Sequence, residues 1–390
     1  MVINVSIIET DKEFVANTYN RFPIEIVSGK GSTVYDINGK EYIDLGSGIG
    51  VTAFGFNDEI WKNAVISQIN KIQHTSNLYY TMPCANLAKA LCMKTQMKKV
   101  FFSNSGAEAN ECAIKVARKY ASENLGKDYY KILTLQNSFH GRTITTLSAT
   151  GQEHYHKDFK PLTEGFIHTP ANDINALKKA VKENKIAAVM FECIQGEGGV
   201  IPLENDFAKE IFSLSKEYGF LTICDEVQTG NGRTGKMYGY MHYGVMPNIV
   251  STAKGLGGGL PIGATLLDEK CCNTLKFGDH GSTYGGNPVC AAAALSVIER
   301  IDDTLLAQVL EKSKYIFSEL SGADGVESVT GMGLMVGIKP VKNALDVVKT
   351  AMEKGVLCLT AKDKIRLLPA LNIPFGDLEK AVQIIKECLV

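Results

Sequence analysis

The chain has 390 residues, 45% of them hydrophobic and 21% charged, and its 41 basic and 42 acidic side chains leave a formal net charge of −1. That balance excludes nucleic acid or an anionic membrane as a partner held by global charge, and the apolar content excludes a disordered chain. The length is long for one core and points to more than one domain around a small-molecule site.

Ten cysteines form no CxxC pair, and several fall in apolar runs such as FLTIC and VCAAAALSVI, as expected of reduced, buried thiols in a cytoplasmic protein. The opening MVINVSIIETDKEF is interrupted by Glu9, Asp11 and Glu13 and predicts no secretory leader. No apolar run approaches the ~18 residues that a bilayer requires.

In chain order, GSTVYDINGKEYIDLGSG predicts a hairpin with Asn-Gly at the turn, and it has no helix to pair with. KKVFF (98–102) reads as a strand, SNSG as a turn, and 107–120 as a helix with Ala109, Ala113, Val116, Ala117 and Tyr120 on one face. YYKILTL (129–135) and IAAVMF (186–191) follow as strands. NDFAKEIFSLSKEYG is a helix closed by Gly219, and FLTIC, PNIVST and PIGATLL bring the strands before residue 270 to six. Strands alternating with helices predict an α/β fold with a mainly parallel sheet flanked by helices. After GGNP an Ala-rich helix begins near Pro288, and GLMVGI, VLCLTA and KIRLLPAL predict a second, smaller α+β unit. The expected division is 1–50, packing with the small domain, 51–287 as the large domain and 288–390 as the small one.

In open α/β sheets ligands bind beyond the carboxyl ends of the strands. SNSGAEAN follows one strand and opens a helix, so Ser105, Gly106 and Ala107 would face an anion with free N–H groups at the positive end of the helix dipole, or serve only as an N-cap. CDEVQTGNGRTG sets Asp225 and Glu226 directly behind five apolar residues, a costly place for carboxylates unless donors or a cation meet them. TAKGLGGGLPIGA sets Lys254 before its glycines, whereas a Walker loop needs lysine after them and a helix next. A nucleotide-binding regulatory protein is therefore the weaker competing class. An amine among small and apolar groups loses its charge readily and becomes a Schiff-base former. A phosphate cradle, a buried carboxylate and such a lysine are the three anchors of pyridoxal 5′-phosphate, whose ring accepts a carbanion's electrons when its nitrogen is protonated. The glycines after Lys254 are expected to leave it room to swing.

Through nearly its whole length the chain resembles the class III pyridoxal-phosphate aminotransferases of fold type I. NTYNRFPI, NSGAEAN, FHGRT, QGEGG, DEVQTGNGRTG, AKGLGGGLPIGA, HGSTYGGNP and IRLLPAL carry the resemblance. It implies that Lys254 holds the cofactor, Asp225 pairs with the ring nitrogen and Gln228 meets the phenolic oxygen. Val227 and Phe139 would sandwich the ring. Ser105, Gly106 and Ala107 would hold the phosphate with Thr283 of a second subunit, which makes the active site a property of a homodimer.

The same resemblance implies transfer of an amino group from an acylated ornithine, N-acetylornithine, to 2-oxoglutarate in arginine biosynthesis, giving N-acetylglutamate 5-semialdehyde and glutamate. The alternative ω-amino donors are 4-aminobutyrate, succinylornithine, ornithine and lysine. One pocket must then seat a remote carboxylate and a glutamate, and the guanidinium fork matches a carboxylate. By resemblance Arg142 takes the remote carboxylate and Arg366 the α-carboxylate, Glu197 covers Arg366 when the ω-amino donor is bound, and Ser282 joins the substrate site. Three positions depart from the family pattern: Ile49 replaces the tyrosine of ornithine δ-aminotransferases, Phe56 a histidine, and Cys193 a common proline. EHYHKDF brings His154, His156 and Glu153 together, but with no second ligand pair nearby they are expected to be solvated rather than to bind zinc.

Overall fold

The computed structural model describes residues 6–390. Helix α1 (Ile7–Phe14) starts at a capping box in which Ser6 Oγ accepts the Glu9 N–H and the Glu9 carboxylate accepts the Ser6 N–H. Strands β1 (Ile26–Lys30), β2 (Thr33–Asp36) and β3 (Glu41–Asp44) form an antiparallel meander. The Asn38-Gly39 turn lies between β2 and β3, with Gly39 at φ 79° and Asp36 Oδ1 accepting the N–H groups of Asn38 and Lys40. One irregular turn follows, α2 (Ser47–Gly50), in which Gly48 and Ile49 are both left-handed.

Helices α3 (Glu59–Ile69) and α4 (Met82–Thr95) lead into β4 (Lys99–Ser103), α5 (Gly106–Asn124), β5 (Lys131–Leu135) and α6 (Ile144–Ala149). Next come β6 (Phe166–Thr169), α7 (Ile174–Glu183), β7 (Ile186–Glu192), the small pair β8 (Ile194–Gln195) and β9 (Ile201–Pro202), α8 (Asn205–Tyr218), β10 (Leu221–Asp225), β11 (Ile249–Thr252) and β12 (Gly263–Leu267). Seven of these strands make one sheet in the order β4-β12-β11-β10-β7-β5-β6. Neighbours among β11, β10, β7, β5 and β6 are parallel, and only β12 runs against both of its neighbours. All residues of β7, β10, β11 and β12 are buried, which is why they read as unbroken apolar runs: helices cover both faces of the sheet. Helix α8 packs through Phe207, Ala208, Ile211, Leu214 and Ser215, a 3.6-residue stripe, and stops at Gly219 in the left-handed region.

The six predicted large-sheet strands are present, and β6 is a seventh that the sequence reading missed. The Ala-rich segment forms α9 (Pro288–Ile298), which packs on α3 and α4. It is followed by α10 (Asp303–Leu320), β13 (Val326–Met332), β14 (Met335–Pro340), α11 (Ala344–Glu353), β15 (Val356–Leu357), β16 (Leu359–Ala361), β17 (Lys364–Leu367) and α12 (Phe375–Leu389). VLCLTA, expected as one strand, divides at Cys358. β15 pairs in parallel with β3, while β16 joins the antiparallel sheet β13-β14-β17-β16. The N-terminal meander is thus completed by a C-terminal strand. Among the described residues no helix is long and apolar enough to cross a membrane.

Candidate active site

The carboxyl ends of β10 and β11, the start of α5 and the segment after β5 enclose a cavity of about 630 Å³. Asp225, the last residue of β10, is 3% exposed and lines it. Its Oδ2 accepts from Asn110 Nδ2 at 2.7 Å and lies 2.8 Å from His140 Nδ1, and its Oδ1 accepts the Val227 N–H at 3.0 Å. Asn110 also donates to the His140 carbonyl at 2.8 Å, so α5 and the FHGRT loop hold the carboxylate together. One residue across the sheet, β10 pairs Asp225 with Glu192 of β7. Burial pushes the Glu192 carboxyl up to about 7, with Asp225 adding to the rise while His140 and the N–H groups of Phe139 and Gly196 oppose it.

Lys254 follows β11 with φ at 46°, a left-handed backbone that is uncommon for a lysine and is held from outside. Asn231 supplies the hold, donating to Thr252 Oγ1 at 2.9 Å and to the Ala253 carbonyl at 3.2 Å. The Lys254 side chain is half-buried and reaches the cavity. Burial lowers its pKa, and Arg366 adds to this, against the charges of Glu197, Asp225 and Glu192, which favour the ammonium. The amine is thus biased toward its neutral, nucleophilic form. The glycines behind it do not give it room, contrary to the sequence expectation. A Cβ on Gly257 would lie 2.0 Å from the Leu260 carbonyl, and one on Gly258 2.9 Å from the Trp61 ring, while Trp61 Nε1 donates to the Gly257 carbonyl at 3.0 Å. They fold a tight turn over an indole.

At the other end, α5 opens at Gly106 behind Ser105, whose Oγ accepts the Glu108 N–H at 3.2 Å. The N–H groups of Gly106 and Ala107 begin the helix and have no intrahelical partner. A Cβ on Gly106 would lie 2.7 and 2.9 Å from the two Val227 methyls, so glycine there lets Val227 close on the helix end. Phe139 lies on the cavity wall and Tyr155 meets its ring edge-on at 5.7 Å. Arg142 is exposed, with its guanidinium 4.4 Å from the Tyr155 centroid and 5.6 Å from that of Phe139, and it makes no salt bridge among the described residues.

Arg366, on β17 in the C-terminal sheet, is 3% exposed, and its Nη1 donates to Glu197 Oε1 at 2.6 Å and to Gln228 Oε1 at 3.2 Å. Burial works against the Glu197 charge, but the Arg366 guanidinium outweighs it and holds the carboxyl below the usual range. Arg366 Nε is buried without a partner. Ser282 is half-buried beside the cavity rim, with its Oγ accepting from Asn104 Nδ2 at 3.1 Å and from the Gly285 N–H at 3.0 Å. Thr283 is exposed and does not line the cavity of its own chain.

His140, Asn110 and Glu192 were missed by the sequence reading. The first two lie inside motifs already singled out, FHGRT and NSGAEAN, where the residue types alone would have nominated them as partners for Asp225. His156 is not solvated as expected: it is buried with Nε2 2.8 Å from the Leu147 carbonyl, while His154 is exposed against Tyr155. Phe56 does not line this cavity. It packs over Gly29 and exchanges two backbone hydrogen bonds with Gly31, fastening the N-terminal meander.

A buried carboxylate, a desolvated lysine and a helix N-terminus around one cavity at the carboxyl ends of a mainly parallel sheet are the donor set that pyridoxal 5′-phosphate needs, and define a fold type I pyridoxal-phosphate-dependent transferase. The class-III aminotransferase family matches residues 14–389. An acetylornithine aminotransferase of Haemophilus ducreyi is 47% identical over 383 residues, covering 98% of each chain, and one of Methanocaldococcus jannaschii is 43% identical over 386 residues, covering 97% of each. Among solved structures, N-acetylornithine aminotransferase of Stenotrophomonas maltophilia superposes with a TM-score of 0.83 at 34% identity, covering 95% of this chain and 96% of that one. Ornithine aminotransferase of Toxoplasma gondii reaches 0.92 at 31%, covering 97% and 93%. The chain belongs to the class-III aminotransferases and is a pyridoxal-phosphate-dependent aminotransferase.

Proposed function

We propose that the enzyme moves the δ-amino group of N-acetylornithine to 2-oxoglutarate, giving N-acetylglutamate 5-semialdehyde and glutamate. The observation that carries this reading is the 2.6 Å pair between Glu197 and buried Arg366, while Arg142 lines the cavity with no salt bridge among the described residues. With Arg366 covered, the remote carboxylate of an ω-amino donor has Arg142 to bind. With Glu197 withdrawn, glutamate or 2-oxoglutarate has both guanidiniums. The acetylornithine relatives support the donor.

The residues present fit the cofactor. Gly106 and Ala107 N–H and Ser105 would hold its phosphate, Phe139 and Val227 its ring faces, Asp225 its nitrogen and Gln228 its phenolic oxygen, with Lys254 as the covalent anchor. Bound there, pyridoxal phosphate supplies an electron sink for the carbon that loses the amino group. Asp225, fixed by Asn110 and His140, would pair with the ring nitrogen. Lys254 Nζ, biased by burial toward the neutral amine, would accept and return the proton at the substrate carbon. Phe139 and Val227 exclude water from that transfer.

We further infer a homodimer in the cytoplasm. Leu78, Tyr80, Met82 and Phe277 are 85%, 106%, 77% and 111% exposed beside Tyr284 and Thr283, a density of large apolar groups that a second copy would cover while bringing Thr283 to the other phosphate cradle. Ten free cysteines agree with a reducing compartment.

Comparing kcat/KM for N-acetylornithine, N-succinylornithine, ornithine, lysine and 4-aminobutyrate, with 2-oxoglutarate as acceptor, tests the donor. A tenfold or greater lead for any but the first overturns it and leaves the class intact.

A further inference from the structure

The sequence sets Cys193 where proline is common in the family, and transamination gives it no task. It follows Glu192 at the end of β7, diagonal to Cys224 on β10, since β7 and β10 pair Glu192 with Asp225 and Phe191 with Cys224. Alternation puts Asp225 on the cavity side and Cys224 and Glu226 on the other face of the same strand end. There Cys193 Sγ and Cys224 Sγ are 3.5 Å apart, and Glu226 Oε1 lies 3.5 Å from the first and 3.4 Å from the second. All three residues are 0% exposed. This is the one grouping of three such ligand atoms among the described residues.

We propose that Cys193, Cys224 and Glu226 form a binding site for a thiophilic divalent ion, zinc in the cell, behind the cofactor carboxylate. The centre of a triangle with those edges lies about 2.0 Å from each corner, so an ion about 1 Å out of the plane meets Zn–S and Zn–O bonds of ~2.3 and ~2.0–2.2 Å without moving the ligands. The Glu226 side chain is already aimed. Oε2 accepts from the Thr229 hydroxyl at 2.6 Å and the Gly239 N–H at 2.9 Å, and Oε1 accepts the Tyr240 N–H at 2.8 Å. Glycine at 239 keeps the near side open: a Cβ there would stand 3.3 Å from both Cys193 Sγ and Glu226 Oε1. The Tyr240 hydroxyl is buried without a hydrogen-bond partner.

Binding is an exchange with no redox step. Two S–H bonds break, two metal–sulfur bonds form, and two protons leave to solvent for each divalent ion. With Glu226 ionised the cluster carries one negative charge before the exchange and one after it, so the interior gains no net charge. The ion would lock together the ends of β7 and β10, whose opposite faces carry Glu192 and Asp225.

The test uses the holoenzyme from cells grown with zinc, dialysed against a weak chelator, and counts metal per chain by mass spectrometry. Zinc is then stripped with a strong chelator and cadmium is added to the metal-free holoenzyme, followed by its thiolate charge-transfer absorption and the protons released. The expected result is close to one ion per chain, two protons per cadmium, and a loss of at least tenfold in ion content in both Cys193→Ser and Cys224→Ser, with the bound-cofactor spectrum reporting that each variant has folded. Should either serine variant misfold, Cys193→Ala takes its place. Wild-type chain that takes up neither ion, or serine variants that retain it, overturn the proposal, and neither result bears on which amino donor the enzyme uses.

Discussion

Replacing Glu197 with glutamine keeps the shape of the Arg366 cover and removes its charge. The Arg366 side chain is 4% exposed and that of Glu197 26%, and their contact is 2.6 Å. A charge-assisted hydrogen bond of this kind contributes ~1.5–3 kcal/mol, and partial exposure of the carboxylate places it near the lower end, about 2 kcal/mol. On the proposed reading glutamate would have to break this contact to seat its α-carboxylate on Arg366, so its half-reaction should gain from a weaker cover. N-Acetylornithine would need the cover closed, because an open Arg366 would draw its carboxylate into the wrong end of the pocket. At 1.4 kcal/mol per decade, the ratio of the two kcat/KM values should move about 10–30-fold toward glutamate. Single-turnover absorbance of the bound cofactor measures each half-reaction separately. If both fall by one common factor, Glu197 supports the site without switching it, and the reasoning fails.

Lys254→Ala should yield colourless protein as purified, whereas borohydride should fix the wild-type chromophore to the peptide that contains Lys254. A coloured variant, or a label elsewhere, would displace Lys254 from its role. Gly106→Ala puts a methyl 2.7 Å from Val227 Cγ1 at the mouth of the phosphate cradle, and cofactor affinity by equilibrium dialysis should drop at least tenfold. Unchanged affinity would mean that the phosphate lies elsewhere. Glu192→Gln tests the buried carboxyl in the apo chain. Because folding raises its pKa from an ordinary 4.5 to about 7, its contribution to stability is complete below 4.5 and is lost as pH rises through 7. Glutamine has no such loss, so urea unfolding should show the variant gaining about 2.5 kcal/mol relative to wild type between pH 5 and pH 8. A pH-independent difference would refute the raised pKa.

What the sequence made legible was whatever local pattern decides. Six strands of the large sheet were readable because full burial makes them continuous apolar runs. β6 was not: at four residues on the sheet edge, with three of them half-buried, FIHT has no run to show. VLCLTA looked like one strand because nothing local says that β15 leaves for β3 while β16 joins β17. The partners of Asp225 were hidden for the same reason, since His140 and Asn110 stand 85 and 115 positions away and meet it only through the sheet and α5. The glycine run misled for a related cause: its neighbour is Trp61, 196 positions before Gly257, and not the adjacent lysine.

Local pattern alone did not tell Asp225 from Glu226, which only the family resemblance separated, and alternation at one strand end gives the physical reason they differ. Asp225 turns to the cavity, where an imidazole and an amide hold it and one edge stays open to a ligand. Glu226 turns inward, where burial raises its pKa and the Thr229 hydroxyl and the N–H groups of Gly239 and Tyr240 donate to it. Those donors lie at the two ends of the loop that carries Arg233. The Arg233 guanidinium is buried and donates to the carbonyls of Leu334 and Pro369, the latter three residues beyond Arg366. One carboxylate thus faces the cavity, and its neighbour fixes a loop whose arginine ties the large sheet to the segment just beyond the strand that carries Arg366. Adjacent charges behind an apolar strand therefore need not share a task. Which side of the pleat each occupies assigns one to chemistry and the other to the frame.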